Sequence, residues 1–481
     1  MFDILLPSES GQPLYRQIYL RIREQIRQGG IPDGTRLPSI RALQSQLNIS
    51  KTPIETAYQM LTAEGYVVSK PRSGLIVANP HKPSSTSEAE ADRQPSGRPQ
   101  PGASSPPKRE AVRRPANGHR IDFDPAALDP DAFPVRIWSQ MLKQALDDHA
   151  GAIGQYGDPR GEPELRLAVA DYLRHSRGVN CSPEQIVIGS GMAYSISILA
   201  KLLQDVRCVA FEEPGYSLVR DQFQLSGKEI IPIPVGGQGL QLAALEASEA
   251  ELVYVTPSHQ FPTGSIMPYP ERERLLKWAA ARNAYIIEDD YDGEFRYQGK
   301  PIPSLQSLDA HGRVIYIGTF SKALTPAIRI NYMVLPPKLI EHLTAMPHEL
   351  VFAPSRVEQW AMYAFIAQGH WYRHIRRTRS LYRLKHQHLI ALIHEYLGGQ
   401  VEITGQNAGL HIQLSVKLLQ TSEQLVERAA GEGVQVYDWR RMWLDRRQRD
   451  AGDPRLYMGF AGLSLQAMET GIRLLQKAWL K

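Results

Sequence analysis

The chain has 481 residues, with 55 Lys and Arg against 50 Asp and Glu, a formal net charge of +5 and 42% hydrophobic residues. That length points to two or three globular domains, and the composition excludes a membrane span, because no apolar run reaches ~18 residues. Met1-Phe2-Asp3 lacks the basic start of a signal peptide, so a cytoplasmic location is expected; Cys181 and Cys208 lack metal-type spacing, so neither structural zinc nor a disulfide framework is expected.

Tyr15 to Arg27 carries Ile18, Ile22 and Ile26 at helical spacing, and Gly29-Gly30 stops that helix. A second helix opens at Pro38-Ser39 with Leu43 and Leu47 inward. Asn48-Ile49-Ser50 is a tight turn, and Ser50 can cap a third helix, Lys51 to Glu64, with Ile54, Ala57, Tyr58 and Leu61 inward. Val67 to Val77 reads as two short strands around the basic turn at Arg72, Ser73 and Gly74. Helix, helix, turn, helix and hairpin make a winged helix-turn-helix, mainly α. Ser50, Lys51 and Thr52 at a helix N-terminus suit a major groove, and Arg41 and Arg72 suit the flanking phosphates. Double-stranded DNA is therefore the expected partner of residues 1–78.

Residues 79–120 are rich in Pro, Ser, Ala and Arg, and Val112 is their only large apolar residue. Such a segment cannot bury a core and reads as a flexible tether.

From Ile121 to Lys481 short apolar strands alternate with helical stretches. Expected strands are 185–188, 208–211, 229–233, 252–255, 285–287, 314–317 and 332–335. The pattern implies a mostly parallel sheet covered on both faces, with ligands beyond the C-terminal strand ends. Three loops at such ends carry chemistry. Gly189-Ser190-Gly191-Met192 can bring backbone N–H groups and a helix dipole to a phosphate. Asp289, in the acidic run Glu288 to Asp292, can hold a proton on a pyridine nitrogen. Lys322 can lose its proton and form a Schiff base with an aldehyde, with Thr319, Ser321 and Arg329 nearby for a phosphate. No one of these loops is specific by itself; their order and spacing are.

The body resembles the fold-type I aminotransferases, with a smaller C-terminal α+β domain. The motifs are Tyr156-Gly157-Asp158-Pro159-Arg160-Gly161, Glu213-Pro214-Gly215-Tyr216, Thr256 to Gly264, the lysine loop and Phe460-Ala461-Gly462-Leu463. Leu37 to Leu43, Ile49 to Ile54 and Ala57 to Tyr66 resemble the GntR family of DNA-binding domains. Head, linker and body together resemble the MocR/GabR subfamily of bacterial regulators. The resemblance implies pyridoxal 5'-phosphate (PLP) as cofactor. Lys322 would hold its aldehyde, Asp289 its pyridine nitrogen, Tyr291 its phenolic oxygen and Tyr216 its ring. Gly191, Met192, Ser321 and Arg329 would hold the phosphate, with Tyr156 reaching in from the partner subunit of a homodimer. Phe261 stands where most aminotransferases have an asparagine, and Asn331 where most have a glycine. Ala193-Tyr194 stands where the usual pattern has Gln-Gln, and either this departure or Asn331 could reshape the effector pocket.

The expected function is a PLP-dependent transcriptional regulator, bound to the nucleoid when on DNA. It would sense PLP itself or an amino compound that condenses with it. A working aminotransferase with an attached DNA module, and a body that has lost the cofactor, remain the alternatives. An amino-acid effector needs a cation for its carboxylate; Arg440 is preferred and Arg455 is the second candidate. His259 belongs near the lysine loop, in either an effector or a structural role.

Overall fold

The structure, a computed structural model, describes residues 13–27, 30–47, 49–63, 66–70, 74–77, 121–297, 303–347, 353–445 and 454–480. Arg72, Ser73, the 79–120 tether, Arg446 and Arg447 lie outside them.

The head is three helices, Leu14–Arg27, Ile40–Leu47 and Lys51–Ala63, followed by an antiparallel hairpin of Val67–Lys70 and Gly74–Val77. Ile18, Ile22, Ile26, Leu43, Ile54, Ala57, Tyr58 and Leu61 form its core as the spacing requires, whereas Leu47 is only half-buried. The second helix starts at Ile40, not at Pro38. Ser39 Oγ accepts the Ala42 N–H at 3.1 Å and so caps it, while the Tyr58 hydroxyl donates to Pro38 O at 2.9 Å and fixes the chain outside the helix. On the body, Tyr269 packs 5.8 Å from Tyr66 and 4.9 Å from the Arg23 guanidinium, so head and body share an aromatic contact.

The body's main sheet has eight strands in the order Ile186–Gly189, Asn331–Val334, Val314–Thr319, Tyr285–Asp290, Leu252–Val255, Cys208–Glu213, Glu229–Gly236 and Gly239–Leu240. Strand Asn331–Val334 is antiparallel to both neighbours, Gly239–Leu240 is antiparallel to its one neighbour, and the remaining pairings are parallel. Successive residues face opposite layers: Ile186 and Ile188 pack into one core and Val187 into another. All seven expected strands are present.

One strand is longer than its apolar run. Tyr285–Asp290 continues through three acidic residues that a pattern reading places in a loop. Each finds partners inside. Glu288 accepts the N–H groups of Leu305 and Gln306 at 2.7 and 2.8 Å. Asp289 accepts the Tyr254 hydroxyl, and Asp290 accepts Arg177 and the Tyr316 hydroxyl. Burial of a charge is tolerated where such partners exist.

The smaller unit is an antiparallel sheet of Val401–Thr404, His411–Val416, Arg455–Gly459 and Tyr437–Asp438, covered by helices Ser422–Gly431 and Leu465–Leu480 and the end of His370–Tyr396. The body's first strand, Ile121–Asp122, pairs in parallel with Val434–Gln435 of this unit.

Candidate functional site

The parallel strands deliver their loops to one edge. Strand Ile186–Gly189 leads through Ser190 and Gly191 into helix Met192–Leu202. Gly191 has φ +108°, a conformation that side chains strongly disfavour, and a Cβ there would collide with the Arg329 guanidinium. Asn331 Oδ1 accepts the Gly191 N–H at 2.9 Å, and its Nδ2 donates to Ser195 Oγ at 2.8 Å. Asn331 thus locks the glycine loop from the neighbouring strand, a contact the sequence did not indicate. Arg329 itself has φ +50° and remains exposed beside the helix start. Ser321 lies in the adjoining turn, whose N–H donates to Thr319 Oγ1 at 3.0 Å. With the Gly191 N–H taken by Asn331, the following N–H groups of the helix start, the Arg329 guanidinium and the Ser321 hydroxyl are the groups here that could hold an anion.

Lys322 Nζ donates to Pro125 O at 2.7 Å. Burial holds its amine below the usual lysine range, against the opposing pull of Asp292 and Asp124. Asp289 Oδ2 accepts from Tyr254, whose ring stacks on Phe211 at 4.7 Å, but Oδ1 is buried without a partner. Burial pushes this carboxyl up to about 7; the Tyr254 bond opposes the shift, and the charges of Asp290, Asp292 and Glu212 add to it. A lone buried carboxylate oxygen in that state calls for a proton donor or a cation.

The Tyr291 hydroxyl lies 3.0 Å from His259 Nδ1, which is 2.8 Å from Asp292 Oδ2. The carboxylate requires the proton on Nδ1, so the tyrosine oxygen accepts from it and its own hydrogen stays available. Burial keeps the hydroxyl protonated, well above the usual tyrosine range. Phe261 is the hub beside it, with ring centroids 5.8 Å from Tyr216, 6.2 Å from Tyr291, 5.5 Å from His411 and 6.0 Å from Tyr457. His259, Asp292 and His411 are the group among the described residues with ligand atoms within 4.8 Å of one another. The His259–Asp292 hydrogen bond joins two of the three.

Tyr156 is fully exposed. Arg440 is engaged by Glu423 at 2.6 Å and Asp438 at 2.8 Å. Arg455 is exposed with its guanidinium 5.3 Å from the Trp439 ring. On the head, Arg41, Ser50, Lys51 and Thr52 are exposed, Lys51 pairs with Glu55 at 2.8 Å, and Gly74 opens the second wing strand. Sequence reasoning missed Tyr254, Asn331, His411 and Tyr457 as contributors. Only Asn331 gave a signal, by departing from the family's glycine.

Comparison with known proteins agrees with this architecture. Residues 129–470 match the family "Aminotransferase class I and II", and residues 14–77 match "Bacterial regulatory proteins, gntR family". The chain is 41% identical to the uncharacterized HTH-type transcriptional regulator YhdI of Bacillus subtilis, over 98% of this chain and 97% of that one. It is 34% identical to the probable rhizopine catabolism regulatory protein MocR of Rhizobium meliloti, over 99% and 96%. Its fold superposes on an archaeal alanine:glyoxylate aminotransferase with a TM-score of 0.69 at 25% identity, covering 75% of this chain and 91% of that one. A GntR-type head joined to a class I and II aminotransferase body places the chain in the MocR/GabR subfamily of HTH-type transcriptional regulators.

Proposed function

We propose that this protein is a transcriptional regulator that binds operator DNA through residues 1–78, and binds pyridoxal phosphate and an amine through residues 121–481. Residues 79–120 join the two as a tether. The observation that carries the reading is an aminotransferase fold with the Lys322 amine held low by burial, a buried Asp289 and a glycine loop beside Arg329, in a chain whose other folded unit is a winged helix-turn-helix. Two features support the fit: the unpartnered Asp289 Oδ1, suited to a protonated ring nitrogen, and the glycine loop, in which a Cβ on Gly191 would fill the space beside Arg329. Pyridoxal phosphate, when bound, supplies an aldehyde that amines condense with and a ring that withdraws electrons. Asp289 would hold the ring nitrogen's proton and Tyr291 would donate to the phenolic oxygen. Tyr216 would cover the ring. Gly191, Met192, Ser321 and Arg329 would hold the phosphate.

The exposure of Tyr156, apart from its own chain's cluster, supports a homodimer in which it reaches the partner subunit's phosphate. Among the described residues no helix is long and apolar enough to cross a membrane. A cytoplasmic site of action fits a DNA-binding regulator. A ligand shifts such a regulator only by its differential affinity for two arrangements of the heads.

Two measurements test the proposal. The full-length protein should take up pyridoxal phosphate with a visible absorbance band, and it should retain specific duplexes selected from a random pool. Failure of either sinks the corresponding half. Steady multiple-turnover conversion of amino acids to keto acids would instead favour the aminotransferase reading. Thr52→Ala should weaken the selected duplex by roughly 5- to 150-fold, about 1–3 kcal/mol, and Arg41→Ala should weaken duplexes of any sequence alike and lower the salt dependence, both leaving cofactor uptake unchanged. Gly191→Ala should do the reverse, lowering cofactor affinity at least tenfold, because backbone strain of ~1–3 kcal/mol adds to the displaced guanidinium.

A further inference from the structure

The sheet of the smaller unit turns one face toward Lys322. Tyr457 and Gly459 are two residues apart on one strand and so share a face. A Cβ on Gly459 would collide with the main chain of Asp124 and Pro125, and Pro125 O is the acceptor of the Lys322 amine. Register sets His411 opposite Gly459 and Tyr437 opposite Tyr457. His411, Tyr437 and Tyr457 therefore line the face that borders the lysine, with the Tyr437 and Tyr457 rings 5.8 Å apart.

This face offers acceptors and ring faces. The charge of Asp124 acts on both Lys322 and the Tyr457 hydroxyl. Asp124 gives Oδ1 to the Ala126 N–H at 2.8 Å, Asp438 is already paired with Arg440 and Asp122 accepts the Tyr437 hydroxyl at 2.8 Å, so the other oxygen of Asp124 is the one we assign to a cation. His411 is 4% exposed, and its Nε2 is buried without a partner. The Pro262 carbonyl takes the ring's other N–H, and burial, with the charges of His259 and Lys322, keeps the ring neutral, so Nε2 presents a lone pair. Among the described residues, two of the three arginines nearest this face already have partners. Arg440 is held by two carboxylates, and Arg455 lies over Trp439. Arg441, which also acts on Tyr457, is exposed on its turn. A carboxylate arriving here meets a carboxylate, a lone pair and aromatic faces. An ammonium is attracted by all three.

From this juxtaposition we infer that the effector is an amine whose far end is a second ammonium group, a diamine instead of an amino acid, seated among Tyr437, Tyr457, Asp124 and His411. The inference rests on the reading of Lys322 as the place where the first amine is taken up. The test uses full-length protein loaded with pyridoxal phosphate and three titrants of similar length: 1,4-diaminobutane, 4-aminobutanoate and butylamine. Calorimetry and the cofactor's absorbance follow binding. The diamine should half-saturate at a concentration roughly tenfold below either of the others, as a partly desolvated ion pair with aromatic support allows. Asp124→Asn should remove most of the diamine's advantage over butylamine, read as the ratio of the two half-saturation concentrations within each protein. Tyr457→Leu is a second variant, read the same way if Asp124→Asn does not fold. Equal binding of all three amines, tighter binding of 4-aminobutanoate, or no diamine binding overturns the inference. A chain that takes up no cofactor sinks the reading of Lys322 instead, and calorimetry on that chain still ranks the three amines.

Discussion

Lys322→Ala should abolish covalent attachment of pyridoxal phosphate. After borohydride treatment the unaltered protein should carry one cofactor per chain on the peptide containing Lys322, and the variant none, as read by mass spectrometry. The effect is expected to be complete because the lysine amine sits under the Pro125 carbonyl at the strand edge, and burial keeps it more readily deprotonated than a surface lysine. The phosphate contacts proposed for Gly191, Met192, Ser321 and Arg329 do not involve the lysine, so weak non-covalent uptake should persist. The exposed Arg41, Ser50 and Thr52 are on a different folded unit, so duplex binding without cofactor should be unchanged while any response to cofactor or amine is lost. Persistence of the full covalent adduct in the variant, at some other lysine, would show that the wrong residue has been identified.

Asp289→Asn should move two properties in opposite directions. Cofactor affinity should fall on the order of 100-fold, because removing one partner of a buried ion pair costs several kcal/mol. The cofactor-free protein should become more stable above neutrality. The sign follows from linkage. Asp289 has a folded value near 7, against an ordinary value of 3.8. Between those limits the folded state holds the proton that the unfolded state has released, so stability falls as pH rises from about 4 to about 7 and is flat above. The asparagine carries no such cost, and a gain of roughly 1–3 kcal/mol at pH 8 is expected once relaxation of the site is allowed for. Glu212, Glu288 and Glu294 are also pushed up to about 7, chiefly by burial, so the variant should keep part of the slope. Thermal unfolding of both cofactor-free proteins from pH 4 to pH 8 measures this; a variant no more stable than the parent at pH 8 would remove Asp289 from the account.

Much of the fold was legible because it rests on local pattern. Ile18, Ile22 and Ile26 fall every four residues, so a helix buries them together whatever else the chain does. The strands at 252–255 and 314–319 are short apolar runs followed by polar loops, and a parallel sheet sends those loops to one edge. That geometry is why Gly191, Asp289 and Lys322, far apart in the chain, could be assigned to a single site from sequence. The exceptions share a cause. The acidic end of Tyr285–Asp290 reads as loop until Tyr254, Arg177, Tyr316 and two backbone N–H groups arrive as partners. Leu47 keeps the helical spacing, but its packing is left incomplete.

The sequence alone determined the two kinds of unit, their order along the chain and the residues suited to a phosphate, a ring nitrogen and an aldehyde, because these follow from periodicity and from the chemistry of single side chains. Tertiary structure decided which charges are free to act. Arg440 looked available until Glu423 and Asp438 closed on it, and Asn331 stood out only as a departure from the family's glycine until packing joined it to Gly191 and Ser195. Tyr457 and His411 had no sequence signal, and strand register brought them to the lysine's border. A side chain's chemistry is written at its own position, but its partners are chosen by packing between segments a hundred or more residues apart, which no local pattern encodes.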